Sequence, residues 1–205
     1  LIVKLYYSSG TCSLAPHIIL RETQTSFELE RVDLRTHQTE HGVDFYTINV
    51  KGSVPLLELD DGERLTEGTI IAQYIADKAQ HRELMPAPGT MARYRVMEWQ
   101  AYISSELHKF YWPLFNSAVD ETCKTLYRTT LRKKYEWVNE KLTAVEYLTG
   151  NTFTAADAYL FTVTRWARGS NVDVNGLDNL KAFMDRVNLR PTVRAAITAE
   201  SHKKA

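Results

Sequence analysis

Ile2 to Tyr7 is an almost unbroken apolar run, the pattern of a strand buried on both faces. After it, Leu14, Ile18 and the charged pair Arg21-Glu22 fall at helical spacing, which predicts a helix opening at Ser13. Phe27 and Leu29 alternate with Glu28 and Glu30 as in a half-buried strand, before Val32 and Leu34 shift the phase. Pro55 to Leu59, the dipeptide Asp61-Gly62 and Glu63 to Leu65 read as a hairpin with Asp-Gly at its turn. Thr66 stands where it could cap a helix whose buried stripe is Ile70, Ile71, Tyr74 and Ile75.

That order, βαβ and then ββα, predicts an α/β thioredoxin-like domain over residues 1–79. Prolines and a glycine in Met85-Pro86-Ala87-Pro88-Gly89 interrupt every pattern and place a linker at 80–89. Beyond it the signals are helical, so 90–205 reads as an all-α domain. Val96, Trp99, Ile103, Leu107 and Tyr111 mark one long helix ending near Pro113; Leu131, Tyr135, Val138, Leu142 and Val145 mark a second. Residues 155–167 are apolar almost all round, as in a central buried helix. Thr154-Ala155-Ala156-Asp157 opens it like a capping box, which makes Asp157 a structural cap rather than a catalytic acid. Two shorter helices follow, around Leu177 to Val187 and after Pro191.

Composition narrows the class. The 25 Lys and Arg equal the 25 Asp and Glu, so nothing electrostatic argues for a nucleic acid or membrane partner. Two cysteines are too few for a disulfide framework and suit a reducing compartment. No apolar run reaches membrane-spanning length, and Leu1-Ile2-Val3-Lys4 lacks the pattern of a signal peptide, so the cytoplasm is the expected location.

Cys12 sits between the first strand and the first helix. There, unpaired N–H groups and the helix dipole favour a thiolate, which predicts a lowered pKa. Three positions on stands Ala15, so the thiol has no resolving partner; a buried cysteine used as a small apolar residue is the alternative. Val54-Pro55 opens a hairpin strand. A cis bond there would turn the Val54 backbone toward an extended peptide. Glu67-Gly68-Thr69 begins a helix, where N–H groups can hold a carboxylate while Glu67 accepts from an ammonium. Gly68 suits close approach of a ligand. A small peptide with a thiol, an amino group and carboxylates would fit all three. His108 shares a helix stripe with Ala101, Ser104 and Ser105, the composition of a cleft wall or of an ordinary surface. Tyr6 and Tyr7 read as core rather than as hydroxyl donors, and Ser13 as an auxiliary donor or cap.

Nearly the whole chain resembles a bacterial beta-class glutathione S-transferase. The matching stretches include Lys4 to Tyr7, Cys12 to Ile18, Lys51 to Pro55, Leu65 to Gly68, Glu98-Trp99, Ser105 to Lys109 and Phe153 to Phe161. The resemblance implies a homodimer that binds reduced glutathione as co-substrate and joins it to a hydrophobic electrophile, with no metal. It assigns Cys12 and His108 to catalysis. Glutathione contacts fall to Cys12, His37, Val54, Pro55, Glu67, Gly68 and Lys109, and, across the dimer, to Ser105 and Glu106. Two positions depart from the family: His37 replaces a lysine that would meet the glycyl carboxylate, and Ala101 replaces an asparagine. A histidine carries its charge mainly below about pH 6.5, so weaker or more pH-dependent binding is expected. Thiol transfer through Cys12 and non-catalytic ligand or partner binding are the rival functions. Phe110, Tyr111, Trp112, Phe115 and Trp166 could line the electrophile pocket or serve as core.

Overall fold

In the computed structural model, which describes residues 2–201, β1 (Val3–Tyr7) is the central strand of a five-stranded sheet. Its apolar run is explained by neighbours on both sides: β2 (Phe27–Asp33) runs parallel to it, and β4 (Leu56–Glu58) runs antiparallel. β3 (Gln38–Thr39) closes one edge against β2, and β5 (Arg64–Thr66) closes the other against β4, giving the order β3-β2-β1-β4-β5. The crossover from β1 to β2 is α1 (Leu14–Glu22), and α2 (Gly68–Lys78) follows the hairpin. Tyr6, Val32, Phe45, Val54 and Leu56 form a buried cluster of this sheet, so Val54 is anchored from behind.

The chain separates into two compact units, and the boundaries differ from the sequence expectation. One unit runs to Met85 and takes back the chain from Arg190; the other is Pro86–Leu189. The last helix, α9 (Pro191–Ser201), therefore packs on α1 rather than completing the helical domain. The cause lies in long-range polar contacts. Arg190 holds both oxygens of Glu22 at 2.8 Å, and Thr192 donates to the same carboxylate. Near the other end, the buried Glu200 carboxylate meets His17 at 2.9 Å and the Gly10 N–H at 3.3 Å, while Ser9 donates to the Glu200 carbonyl. Because Arg21 donates to His17 Nε2, it is Nδ1 that carries hydrogen toward Glu200. Leu1 and residues 202–205, the outermost positions of the two expected domains, lie outside the described residues.

The second unit is helical. α3 (Met91–Tyr102) continues through a π-helical stretch, Ile103–His108, into α4 (Lys109–Phe115). The expected helix is present, but it widens by a π turn and passes the buried Pro113 before stopping. Val96, Ile103, Leu107 and Tyr111 form its buried seam. α5 (Glu121–Lys141) starts ten residues before its apolar stripe because Asp120 caps it, accepting from the Cys123 N–H at 2.9 Å. In α6 (Ala155–Thr164) every residue is buried. Its capping box is real: Asp157 accepts from the Thr154 N–H and hydroxyl at 2.8 and 2.7 Å, and from the Leu148 N–H at 2.8 Å. α7 (Trp166–Gly169) and α8 (Asp178–Asn188) complete the unit. No helix among the described residues is long and apolar enough to cross a membrane.

Candidate functional site

The loop after β1 is tied by hydroxyl groups. Thr11 donates to the Ser8 carbonyl at 2.8 Å, and the fully buried Ser13 hydroxyl lies 2.9 Å from that of Thr11. Ser13 also takes the Ser8 N–H at 3.2 Å. Its hydroxyl is thus occupied within the loop; it neither caps α1 nor faces outward as a free donor.

This loop sets Cys12 immediately before α1, where the sequence places it. The electrostatic outcome is the opposite of the expectation. Burial pushes the Cys12 thiol up to about 12, and the nearby Glu67 charge adds to the effect. The backbone N–H groups of Cys12 and Ser13 pull the other way and lose. Helix-end groups contribute fixed partial charges, whereas taking a whole thiolate out of water costs more. Cys12 accordingly stays protonated and donates to the Val54 carbonyl at 3.4 Å.

Val54 precedes a cis bond to Pro55, as expected. Pro55 faces Gly68: a methyl on Gly68 would stand 3.4 Å from Pro55 Cγ, an ordinary contact, so protein packing alone does not demand glycine there. α2 begins at Gly68 with Glu67, not Thr66, at its cap. Thr66 ends β5 instead, and its hydroxyl accepts from Lys51 at 3.0 Å. Glu67 has φ +67 and ψ +107, outside the ordinary left-handed well; such backbone costs on the order of 1–3 kcal/mol and tends to occur where function needs a direction fixed. Its carboxylate is exposed and pairs with Lys51 Nζ at 2.8 Å.

His37 also has positive φ, at 53°. Its Nδ1 lies 3.1 Å from the Gly52 carbonyl, and its ring packs against Tyr46 at a tilt of 33°, with centroids 4.5 Å apart. A carbonyl only accepts, so Nδ1 carries the hydrogen and Nε2 donates only in the imidazolium form. Gly52 is required here: at φ +61, a side chain would begin 2.4 Å from Tyr46 Cε1.

The first unit thus gathers Cys12, Val54, Pro55, Glu67 and Gly68, with His37 beside the turn that supplies Lys51. The sequence assigns no role to Lys51 or Tyr46; the Lys51-Gly52 pair ahead of Val54-Pro55 is the available signal. Tyr6 and Tyr7 are core, their phenols raised by burial.

In the second unit the remaining candidates lie on or beside the π stretch. His108 Nδ1 is 2.6 Å from the Tyr159 hydroxyl, and its ring meets Trp166 edge-on at 4.9 Å. Burial pushes its pKa down to about 4, so its imidazole is neutral in ordinary buffers. Glu106 pairs with Lys134, which holds its carboxyl below the usual range. Ser105 bonds back to the Ala101 carbonyl at 3.1 Å; Ala101, Ser105 and Lys109 are exposed. Of the aromatics, Tyr111 is core and bonded to Tyr135 at 3.0 Å, whereas Trp112 and Phe115 are each 59 % exposed. Phe110 and Trp166 are half-buried.

Two family models match: the glutathione S-transferase N-terminal domain over residues 3–77 and its C-terminal domain over 98–191. The chain is 46 % identical over 201 residues to the glutathione S-transferase GstA of Escherichia coli O157:H7, spanning 98 % of this chain and 100 % of that one. Among solved structures, a sphingomonad glutathione S-transferase complexed with glutathione matches with TM-score 0.93 and 39 % identity, over 97 % of this chain and 99 % of that one. The beta-class enzyme of Sphingomonas chungbukensis matches with TM-score 0.93 and 41 % identity, over 96 % and 98 %.

Proposed function

The chain belongs to the glutathione S-transferase family, and we propose from that premise that it joins reduced glutathione to hydrophobic electrophiles at the first unit's Cys12–Val54–Glu67 cluster. In this reading the tripeptide's cysteinyl backbone pairs with Val54 beside Pro55. Its γ-glutamyl ammonium meets Glu67, and its γ-glutamyl carboxylate meets the N–H groups at Gly68 and Thr69. His37 meets the glycyl carboxylate, more weakly than a lysine would, because Nε2 donates only when protonated.

One observation carries the chemistry: Cys12 is a thiol with its pKa raised to about 12, well above that of an ordinary thiol. Glutathione therefore loses its proton to solvent first, and the Cys12 S–H turns from the Val54 carbonyl to donate to the resulting sulfur anion. The glutathione thiolate attacks the electrophilic carbon, the new C–S bond forms, and the leaving group departs with the displaced electron pair. A protonated Cys12 is a poor nucleophile, which favours conjugation over transfer through a Cys12-bound disulfide. His108, the other residue expected in catalysis, is a neutral imidazole bonded to the Tyr159 hydroxyl and carries no positive charge. Self-association through the face bearing Ser105, Glu106 and Lys109, a role in detoxification and a cytoplasmic location belong to the same proposal.

The test is retention on immobilised glutathione together with turnover of a chlorinated nitrobenzene by the enzyme and by Cys12→Ala. Loss of one S–H donor predicts a drop of about fivefold in conjugation. Abolished conjugation, with glutathionylated substrates equally lost, would show Cys12 to be the reacting nucleophile and overturn the reading.

A further inference from the structure

We propose that Lys51 is a specificity-determining residue: with Glu67 it forms a two-charge clamp that reads the amino-acid head group of the γ-glutamyl residue, Lys51 taking its α-carboxylate. The proposal rests on glutathione binding at this site and adds a residue that the sequence left without a role.

Lys51 does not dangle from a loose loop. The buried Asn49 holds its backbone: the Asn49 side-chain oxygen takes the Lys51 N–H at 3.2 Å, and its amide donates to the Ser53 carbonyl at 2.7 Å. The next residue, Gly52, is walled in by Tyr46 and His37. From this fixed turn the side chain crosses to the end of β5, where Nζ donates to Thr66 Oγ1 at 3.0 Å and to Glu67 Oε1 at 2.8 Å. The backbone of its partner is set apart as well, Glu67 standing at the unusual φ of +67.

The valences left over define the ligand. An ammonium has three N–H donors, and the structure uses two. Of the Glu67 carboxylate, Oε1 is engaged, and Oε2 has no hydrogen bond among the described residues. One free donor and one free acceptor thus stand side by side, both accessible to solvent, with the side chains 53 % and 67 % exposed. An α-amino acid head group carries the complement, an ammonium and a carboxylate joined through one carbon. Laid over the pair, its ammonium reaches Glu67 Oε2 while its carboxylate reaches the third Lys51 N–H and the start of α2. Four alternating charges then meet without breaking the existing pair.

The experiment compares glutathione with 4-aminobutyryl-cysteinylglycine, which keeps the amino group and lacks the γ-glutamyl α-carboxylate. Dissociation constants are measured for the unmodified enzyme, Lys51→Met and Lys51→Arg. The clamp predicts that Lys51→Met weakens glutathione binding about tenfold, the scale of one charge-assisted hydrogen bond. Lys51→Arg should restore most of the loss, and binding of the truncated peptide should change less than twofold. Equal loss for both peptides would make Lys51 a mere support for Glu67 and overturn the proposal. So would no change, the mark of an idle surface pair, or tighter glutathione binding, the mark of a lysine competing with the substrate ammonium. Failure of the unmodified enzyme to bind glutathione would overturn the functional reading itself.

Discussion

The raised pKa of Cys12 makes a quantitative prediction about alkylation of the free enzyme. An ordinary thiol with pKa near 9 is about 3 % ionised at pH 7.5, whereas at a pKa of about 12 the ionised share falls to about 0.003 %, a thousandfold loss. A thiolate of higher pKa is intrinsically more nucleophilic; with a Brønsted slope of about 0.4–0.5, three units return about 15- to 30-fold. The net expectation is that iodoacetamide modifies Cys12 about 30- to 60-fold more slowly than an ordinary cysteine of equal access. Cys123, the second free thiol and likewise half-buried, is the internal reference. Peptide mass spectrometry after timed quenching reads both sites in one sample. Across pH 6.5 to 9.5 the Cys12 rate should climb tenfold per unit without levelling. Glu67→Gln should speed it, because the Glu67 charge raises the thiol pKa. A plateau near neutral pH, or Cys12 reacting ahead of Cys123, would refute the claim that desolvation outweighs the helix end.

Further outcomes follow from other groups. Asp157→Ala leaves the Leu148 and Thr154 N–H groups without their acceptor in a fully buried place, and should cost about 2–5 kcal/mol in urea unfolding. Burial raises the Asp157 pKa to about 6, so the folded state holds this proton more tightly than the unfolded chain. Its contribution is therefore most favourable below about pH 4 and declines as pH rises through 6, a slope the variant should lose. His108, pushed down to about 4, should give imidazole NMR shifts that stay flat from pH 8 to 5.5; a midpoint near 6.5 would contradict the burial argument. Gly52→Ala should destabilise the first unit clearly, because its methyl would meet Tyr46 at 2.4 Å and its φ is +61. Gly68→Ala should keep the fold, its methyl resting at contact distance from Pro55, and any loss should appear in glutathione affinity.

What the sequence reveals well is what local rules decide. The apolar run of β1, the Asp-Gly hairpin, the buried helix α6 and its capping box depend on neighbours in the chain, and they stand where the spacing puts them. The misses involve competition or distance. Thr66 looks like a cap, but strand pairing with Leu56 claims it and Glu67 takes the position. The π turn before His108 leaves the apolar seam intact, so periodicity gives no sign of it. The direction of the Cys12 pKa needs the depth of burial, a quantity the motif does not contain. Lys51 and Glu67 are sixteen residues apart, and only the β4–β5 hairpin brings them together.

The return of α9 to α1 has a consequence for biosynthesis. His17 is fully buried in the finished protein, and its acceptor, Glu200, is among the last of the described residues to be made. The 104 residues from Pro86 to Leu189 are translated in between, about 5–20 seconds at ordinary elongation speeds. Throughout that interval the nascent first unit has an uncovered flank on its first helix. Its maturation must wait until the chain as far as Glu200 has been made.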